Sequence, residues 1–456
     1  MQNAIYINDI HTLITKNSMN IFPSPQESLN PYPFYAQMRK FHPIEYDEKN
    51  GIWGIFRYND IQSILTDYRN FSSDIQKLVN IQQEQEIKES RELQDHKKRR
   101  PLRSSLLTSD PPRHSQLRRV ISSAFSPNTI YKLKPRIEQI CHDMIDKIIE
   151  QGHMDLINDL AYPLPITVIA ELLGIPAQDQ DTFKKWADDL LGSTRGSSNN
   201  LPTDKDSEKI FARVQSEMDS YFNNIIEKRR MQKGLSSRVD LIDDLLRAQI
   251  DGSKLSEEDI LAFCSLLLLA GHVTTVNLIG NVVRSLLEHP QQLKQLLLLQ
   301  NNGNSHKDYD SLISSAIEET LRYRSPVQGV FRFAIHDVTI GKKGKEQAIL
   351  RGQRMIIWIG SANHDESIFT NAEIFDINRN TTDTHLAFGH GIHFCLGSIL
   401  ATLEAQVVLK IILDRLHNLR FANEYKEELL KPLHGIFFHG VSNLPLCFEP
   451  NSPIKK

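Results

Sequence analysis

The sequence predicts a mainly α-helical protein with a smaller β-rich portion, and three observations lead there. Apolar residues recur at three- and four-residue spacing near 133–151, 208–232, 240–250, 256–289, 310–323 and 395–417. Strand-like runs are short and sit in two places, Ile52–Arg57 and the stretch from Val330 to Ile359. The most apolar run, Ile260 to Ala270, lies inside a helical pattern longer than most globular helices.

The bulk properties narrow the class. A chain of 456 residues is long enough to enclose a cofactor-sized cavity as well as a core. Its formal charge is -3 with acids and bases interspersed, which argues against nucleic-acid binding or membrane coating. The densest basic run, Lys97 to Arg100, reads as a solvated loop. Four cysteines, Cys141, Cys264, Cys395 and Cys447, form no CxxC pair, so neither a disulfide scaffold nor a zinc site is expected. Residues 1–20 contain no continuous apolar core of a signal peptide and read as an N-terminal extension. The run Ile260 to Ala270 is too short to cross a bilayer. The expectation is a soluble, cytoplasmic monomer, one domain over 1–456. Polar stretches at 80–104 and 192–207 read as loops on that body.

The segment from Ser256 to Pro290 carries its own punctuation. Ser256 is placed to cap the helix, Glu257, Glu258 and Asp259 suit the positive end of its dipole, and Pro290 ends it. Such a helix runs roughly 50 Å. Its apolar middle is interrupted by Gly271, His272, Thr274 and Thr275. Two readings stand: a packing notch whose threonine hydroxyls bond back to the helix, or a place where backbone and a hydroxyl face a ligand. His272 likewise reads either as a pocket residue or as an inward-packed histidine.

The chemistry concentrates in Phe388-Gly389-His390-Gly391-Ile392-His393-Phe394-Cys395-Leu396-Gly397. Two glycines shape a tight turn, and the cysteine opens a helical pattern whose dipole and amide hydrogens favour a thiolate. An anionic sulfur shielded by Phe388 suits a soft metal. Gly397 would let backbone approach a flat ligand.

This stretch resembles the haem-binding loop of the cytochrome P450 family, and further stretches agree in the family's order. Glu319-Thr320-Leu321-Arg322 is similar to its ExxR motif, and Phe375 to Arg379 to the segment whose arginine joins that pair. Ala270-Gly271-His272-Val273-Thr274-Thr275 is similar to the oxygen-binding notch of the long helix over the haem. Asp110 to Arg118 is similar to the haem-propionate helix of bacterial members. The resemblance runs from about Asn30 to Phe448. It implies the cytochrome P450 fold, haem b, and Cys395 as the iron ligand. His114, Arg118, Arg332 and His393 would hold the propionates, with Ala270, Gly271, Phe388 and Gly397 also against the cofactor. His114 and Arg118, four apart, share a helix face whatever they bind. Glu319, Arg322 and Arg379 are implied to be structural, and Thr274 catalytic.

One position departs from the pattern. Relatives usually carry an acid immediately before the notch threonine, and here it is Val273. Similar replacements occur among members that tailor polyketides and other secondary metabolites. The resemblance implies hydroxylation or epoxidation of a small apolar substrate, free or carrier-protein-bound. It implies no fused reductase, hence electrons from a ferredoxin or flavodoxin with its reductase. The pocket would draw on Leu267, Ala270, Val327, Val330, Phe331, Phe437 and Phe438. The polar loop near 72–109 reads as an unconstrained insertion, with a lid or carrier surface as the alternative. Rival readings are a peroxide-driven or non-hydroxylating haem-thiolate enzyme and a non-catalytic haem sensor.

Overall fold

The computed structural model describes residues 20–89, 105–195, 205–231, 240–250, 252–301, 306–381, 384–422, 430–432 and 437–450. Helices dominate, with the strands β1 (Ile44–Asp47), β2 (Ile52–Ile55), β3 (Phe71–Ser72), β4 (His153–Asp155), β5 (Gln249–Ile250), β6 (Ser253–Lys254), β7 (Val330–Ala334), β8 (Val338–Ile340), β9 (Gln347–Ile349), β10 (Arg354–Ile357), β11 (Leu416–Phe421) and β12 (Pro445–Pro450) between them. The mainly helical expectation therefore holds.

The central helix spans Glu257–Glu288, about 48 Å at the usual rise. Its cap is the predicted one: Ser256 Oγ accepts from Asp259 N at 3.1 Å and donates to Asp259 Oδ2 at 2.6 Å. As a whole the helix is long and apolar enough to cross a bilayer. Helices Pro163–Leu172, Lys205–Met231, His306–Tyr323 and Ser398–Arg415 surround it instead, so its apolar faces form the largest core.

The main sheet has the order β1-β2-β10-β7-β3 and is buried on both faces. Ile55, Met355, Ile357 and Ala334 pack on one side with the helix Tyr58–Thr66. Ile52, Ile356 and Phe56 pack on the other with Trp358 and Tyr35. Alternation along each strand makes that division.

Several boundaries differ from the sequence expectation. The stretch 80–104 was expected to be loop, yet the helix Ile75–Glu89 enters it; residues 90–104 lie outside the described ones. Gln, Glu and Lys are good helix formers, so polarity marks exposure there and not irregular backbone. Helices Gln180–Arg195 and Lys205–Met231 likewise reach into 192–207. The segment near 240–250 is helical only over Leu241–Arg247, then β5 pairs with β6. The helix expected over 395–417 begins at Ser398 and ends at Arg415, where β11 takes over.

Behind the helix Ser398–Arg415 a buried charge cluster ties the chain together. Arg322 Nε and Nη2 each donate to Glu319 at 2.8 Å, with neither side chain exposed. Arg379 Nε adds a contact at 3.3 Å. The remaining guanidinium hydrogens of Arg322 go to the carbonyls of Asn363, Ala372 and Ile374, and Arg379 reaches those of Thr370 and Asn371. These contacts join the three side chains in one largely buried network. Replacing Glu319 by Ala strands two guanidiniums and should cost about 3–5 kcal/mol, read as a lowered urea midpoint; a loss below about 1 kcal/mol would contradict the analysis.

Candidate functional site

The loop that presents Cys395 is clamped from both ends. Gly389 and Gly391 sit at φ +74° and +70°, a region other residues rarely enter. A side chain on Gly391 would also place its Cβ 2.6 Å from Leu65 O, so the loop lies directly on the helix Tyr58–Thr66. Cys395 N donates to Phe388 O at 2.8 Å, closing the turn, and the Phe388 and Phe394 rings meet edge to face. The cysteine stands ahead of the helix and not on its first turn, because Gly397 is the cap. Burial pushes the Cys395 thiol above its ordinary pKa; the Gly397 amide, the Arg118 charge and the Ser398 amide pull it back. Those groups favour a thiolate. Nothing lies within 4 Å of where a Gly397 Cβ would stand, so the space beside the loop is open.

Basic and donor side chains converge on the same place from three elements. His114 and Arg118 come from the helix Arg113–Ser122, Arg332 from β7, and His393 from the loop. The His114 and His393 rings lie 4.4 Å apart. Burial, then Arg332, His114 and Arg118, push His393 down to about 3, with Asp110 opposing. Burial lowers Arg332 to about 10, again against Asp110. His114 Nε2 is buried without a hydrogen-bond partner. Two guanidiniums and two imidazoles thus gather around the single acid Asp110 with His114 Nε2 unpaired, a cluster suited to an anion.

On the facing side, Ala270 is exposed and Gly271 and Thr274 are partly so, although they lie midway along a buried helix. An accessible hollow therefore borders the notch. Thr274 Oγ1 donates to Ala270 O at 2.8 Å and Thr275 Oγ1 to Gly271 O at 2.9 Å, leaving the Thr274 lone pairs available to the hollow. Gly271 also serves packing: a Cβ there would meet Ile169 Cδ1 at 2.8 Å. His272 is an inward-packed histidine, with Nε2 3.1 Å from Tyr162 O and its ring against Tyr162. Val273 is buried.

The residues expected to line a pocket come from several elements. Leu267, Val327 and Val330 are half-buried, and Val327 bridges to Phe438. Val330 and Arg332 share one face of β7. Phe331 points to the other, where its ring meets Phe437 at 5.0 Å. Phe437 in turn stacks on Trp358 in the aromatic core. Phe331 and Phe437 are thus separated from Arg332 by the sheet, a consequence of strand alternation that the spacing of Val330 and Phe331 already contained.

Two residues escaped the sequence reading. Asp110, quoted there only within a motif, is a buried acid among these donors; it accepts from Ser72 Oγ at 2.5 Å and Lys77 Nζ at 2.7 Å. Asn363 holds the cysteine loop through Leu386 N at 2.7 Å and Ser325 Oγ at 2.8 Å. Their partners lie 23 to 38 residues away in sequence, with no local pattern to reveal them.

The family model for Cytochrome P450 matches residues 66–434. The chain belongs to the cytochrome P450 family. This P450 is 38% identical to cytochrome P450 107B1 of Saccharopolyspora erythraea over 90% of this chain and 93% of the relative. It is 33% identical to the polyketide biosynthesis cytochrome P450 PksS of Bacillus subtilis, over 92% and 96% respectively. The crystal structure of CYP109E1 from Bacillus megaterium in complex with testosterone superposes with a TM-score of 0.74 at 32% identity, covering 92% of this chain and 99% of that one. The P450 is accordingly a monooxygenase that binds haem b through a cysteine thiolate.

The residues present fit such a cofactor. Open space beside Gly397, amides and a guanidinium around Cys395, and a donor cluster with an unsatisfied His114 suit a flat dianion with a soft metal. The notch also predicts an acid response. Burial lowers His272 from 6.5 to about 4, so its contribution to stability is intact above pH 6.5 and is lost as pH falls toward 4. Urea unfolding between pH 7 and 4.5 should show a shallower loss for His272→Phe; parallel profiles would refute this.

Proposed function

We propose that Cys395 is the iron ligand, that His114, Arg118, Arg332 and His393 bind the haem propionates, and that Ala270, Gly271, Phe388 and Gly397 line the cofactor. The observation that carries this reading is the donor cluster meeting beside Cys395, with His114 Nε2 buried and unpaired. When bound, the haem accepts two electrons and activates O2, so that one oxygen atom enters the substrate.

The protein's part is to hold, orient and supply protons. Burial raises the Cys395 thiol's pKa, and the Gly397 amide, the Arg118 charge and the Ser398 amide oppose that rise, favouring the thiolate an iron would bind. Loop closure through Phe388 fixes the sulfur's direction. Thr274 faces the hollow with its hydroxyl hydrogen committed to Ala270 O, so its oxygen accepts a hydrogen bond from a water and orders that water for proton delivery. The small, exposed Ala270 would leave room for substrate in the hollow.

The substrate is a small apolar molecule, a polyketide or similar secondary metabolite, hydroxylated or epoxidised in a pocket drawing on Leu267, Ala270, Val327, Val330, Phe331, Phe437 and Phe438. PksS supports the polyketide class by its name. The testosterone complex of CYP109E1 supports a broader apolar range. Electrons come from a separate ferredoxin or flavodoxin with its reductase, in the cytoplasm. The buried Val273 favours one second reading, turnover driven by peroxide, in which no relay acid is needed.

The reduced protein with carbon monoxide should give the red-shifted Soret band of a haem thiolate, absent in Cys395→Ala. A histidine-type spectrum, or an unaltered mutant spectrum, would remove the assignment. Thr274→Ala should retain that band yet lower product formed per NADPH by about tenfold. An unchanged ratio, with peroxide outperforming the reductase system, would favour the second reading.

A further inference from the structure

The central helix carries a second polar feature that the haem site does not absorb. Thr274, Asn277, Asn281, Ser285 and Glu288 follow one another at steps of three and four, so they share one helix face. Asn277, Asn281 and Ser285 are buried, and the stripe ends at Glu288, whose side chain is 15% exposed. A helix buried among Leu, Ile and Val gains nothing from such a stripe by packing.

The atoms along it are incompletely satisfied. Asn277 has neither its Nδ2 nor its Oδ1 paired, and Asn281 Oδ1, Arg324 Nε, His439 Nδ1 and Tyr32 Oη also lack partners. These groups are contiguous. Asn281 Nδ2 donates to Arg324 O at 3.0 Å and to His439 O at 2.8 Å. Arg324 Nη1 donates to Ser285 Oγ at 3.0 Å, and its Nη2 meets Glu288 Oε2 at 2.5 Å. Asn277 is pressed against Gly440, where a Cβ would fall 2.0 Å from its Oδ1. Tyr32 lies beside His439, ring centroids 5.9 Å apart. His439 is held neutral by burial, at about 3, and its Nε2 donates to Leu29 O, which leaves Nδ1 as an acceptor. Donors and acceptors are thus both represented. One unpaired buried atom is an exception in native proteins; six in one place call for partners, and water can serve donors and acceptors alike.

We propose that this stripe encloses a chain of ordered waters that carries protons from solvent at Glu288, past Asn281 and Asn277, to Thr274. The inference rests on the haem-site reading above. It supplies a route that does not need an acid at Val273. Each transfer breaks an O–H bond on one water as it forms one on the next; the protons come from solvent and the electrons from the redox partner. Asn277 acts through water and is a positioning residue.

A crystal structure of the wild-type holoenzyme should show ordered waters bonded to Asn277 and to at least one of Asn281 Oδ1 and His439 Nδ1; a dry cluster would overturn the proposal. Asn277→Leu should lower product per NADPH at least threefold and raise the solvent deuterium isotope effect on turnover. Asn277→Asp should restore both, and both variants should keep the wild-type carbon-monoxide band. Unchanged coupling and isotope effect in Asn277→Leu, with Thr274→Ala still uncoupled, would sink the water route alone. A wild type lacking the thiolate band would instead sink the reading beneath it.

Discussion

The pair between Glu319 and Arg322 governs the geometry of everything near the sulfur. It is fully buried, and a bare ion pair in that position would be a poor source of stability. Its value lies in direction. Arg322 donates to Asn363 O; the same asparagine accepts from Leu386 N through its side chain; Leu386 O accepts from Gly389 N; and Phe388 O accepts from Cys395 N. A continuous line of hydrogen bonds therefore runs from a charge in the core to the cysteine, and each member leaves the next little freedom.

The central helix meets a different demand. It must bury most of its surface and yet border a hollow. The apolar faces of Glu257–Glu288 satisfy the first need against four neighbouring helices. Small residues at Ala270 and Gly271 satisfy the second, while Thr274 and Thr275 return their hydroxyl hydrogens to the helix itself. Polar groups can then face the hollow without breaking the helix, because no backbone hydrogen bond is surrendered.

Much of this was legible in the sequence where the signal was local. Ser256 with Asp259, Glu319 with Arg322, and the glycines before Cys395 each declare themselves within a few residues. His114 and Arg118 were legible as a pair for the same reason. What escaped depended on distance or on facing. Asn363 and Asp110 act through partners far along the chain. Strand alternation puts Phe331, which stays partly exposed, on the side of β7 where it meets Phe437, opposite Val330 and Arg332. The helix Ile75–Glu89 was hidden by its own polarity, which reports solvent contact and says little about backbone.

The two-faced strand β7 has a bearing on how such an enzyme can diversify. Val330 and Arg332 look toward the cysteine loop, and Phe331 looks toward Trp358 and Phe437 across the same backbone. Neighbouring positions thus answer to different packing demands. A change at Val330 would alter the face it shares with Arg332, and a change at Phe331 the face it shares with Phe437. A single strand in this way separates the surface that meets the basic cluster from the surface that meets the aromatic rings.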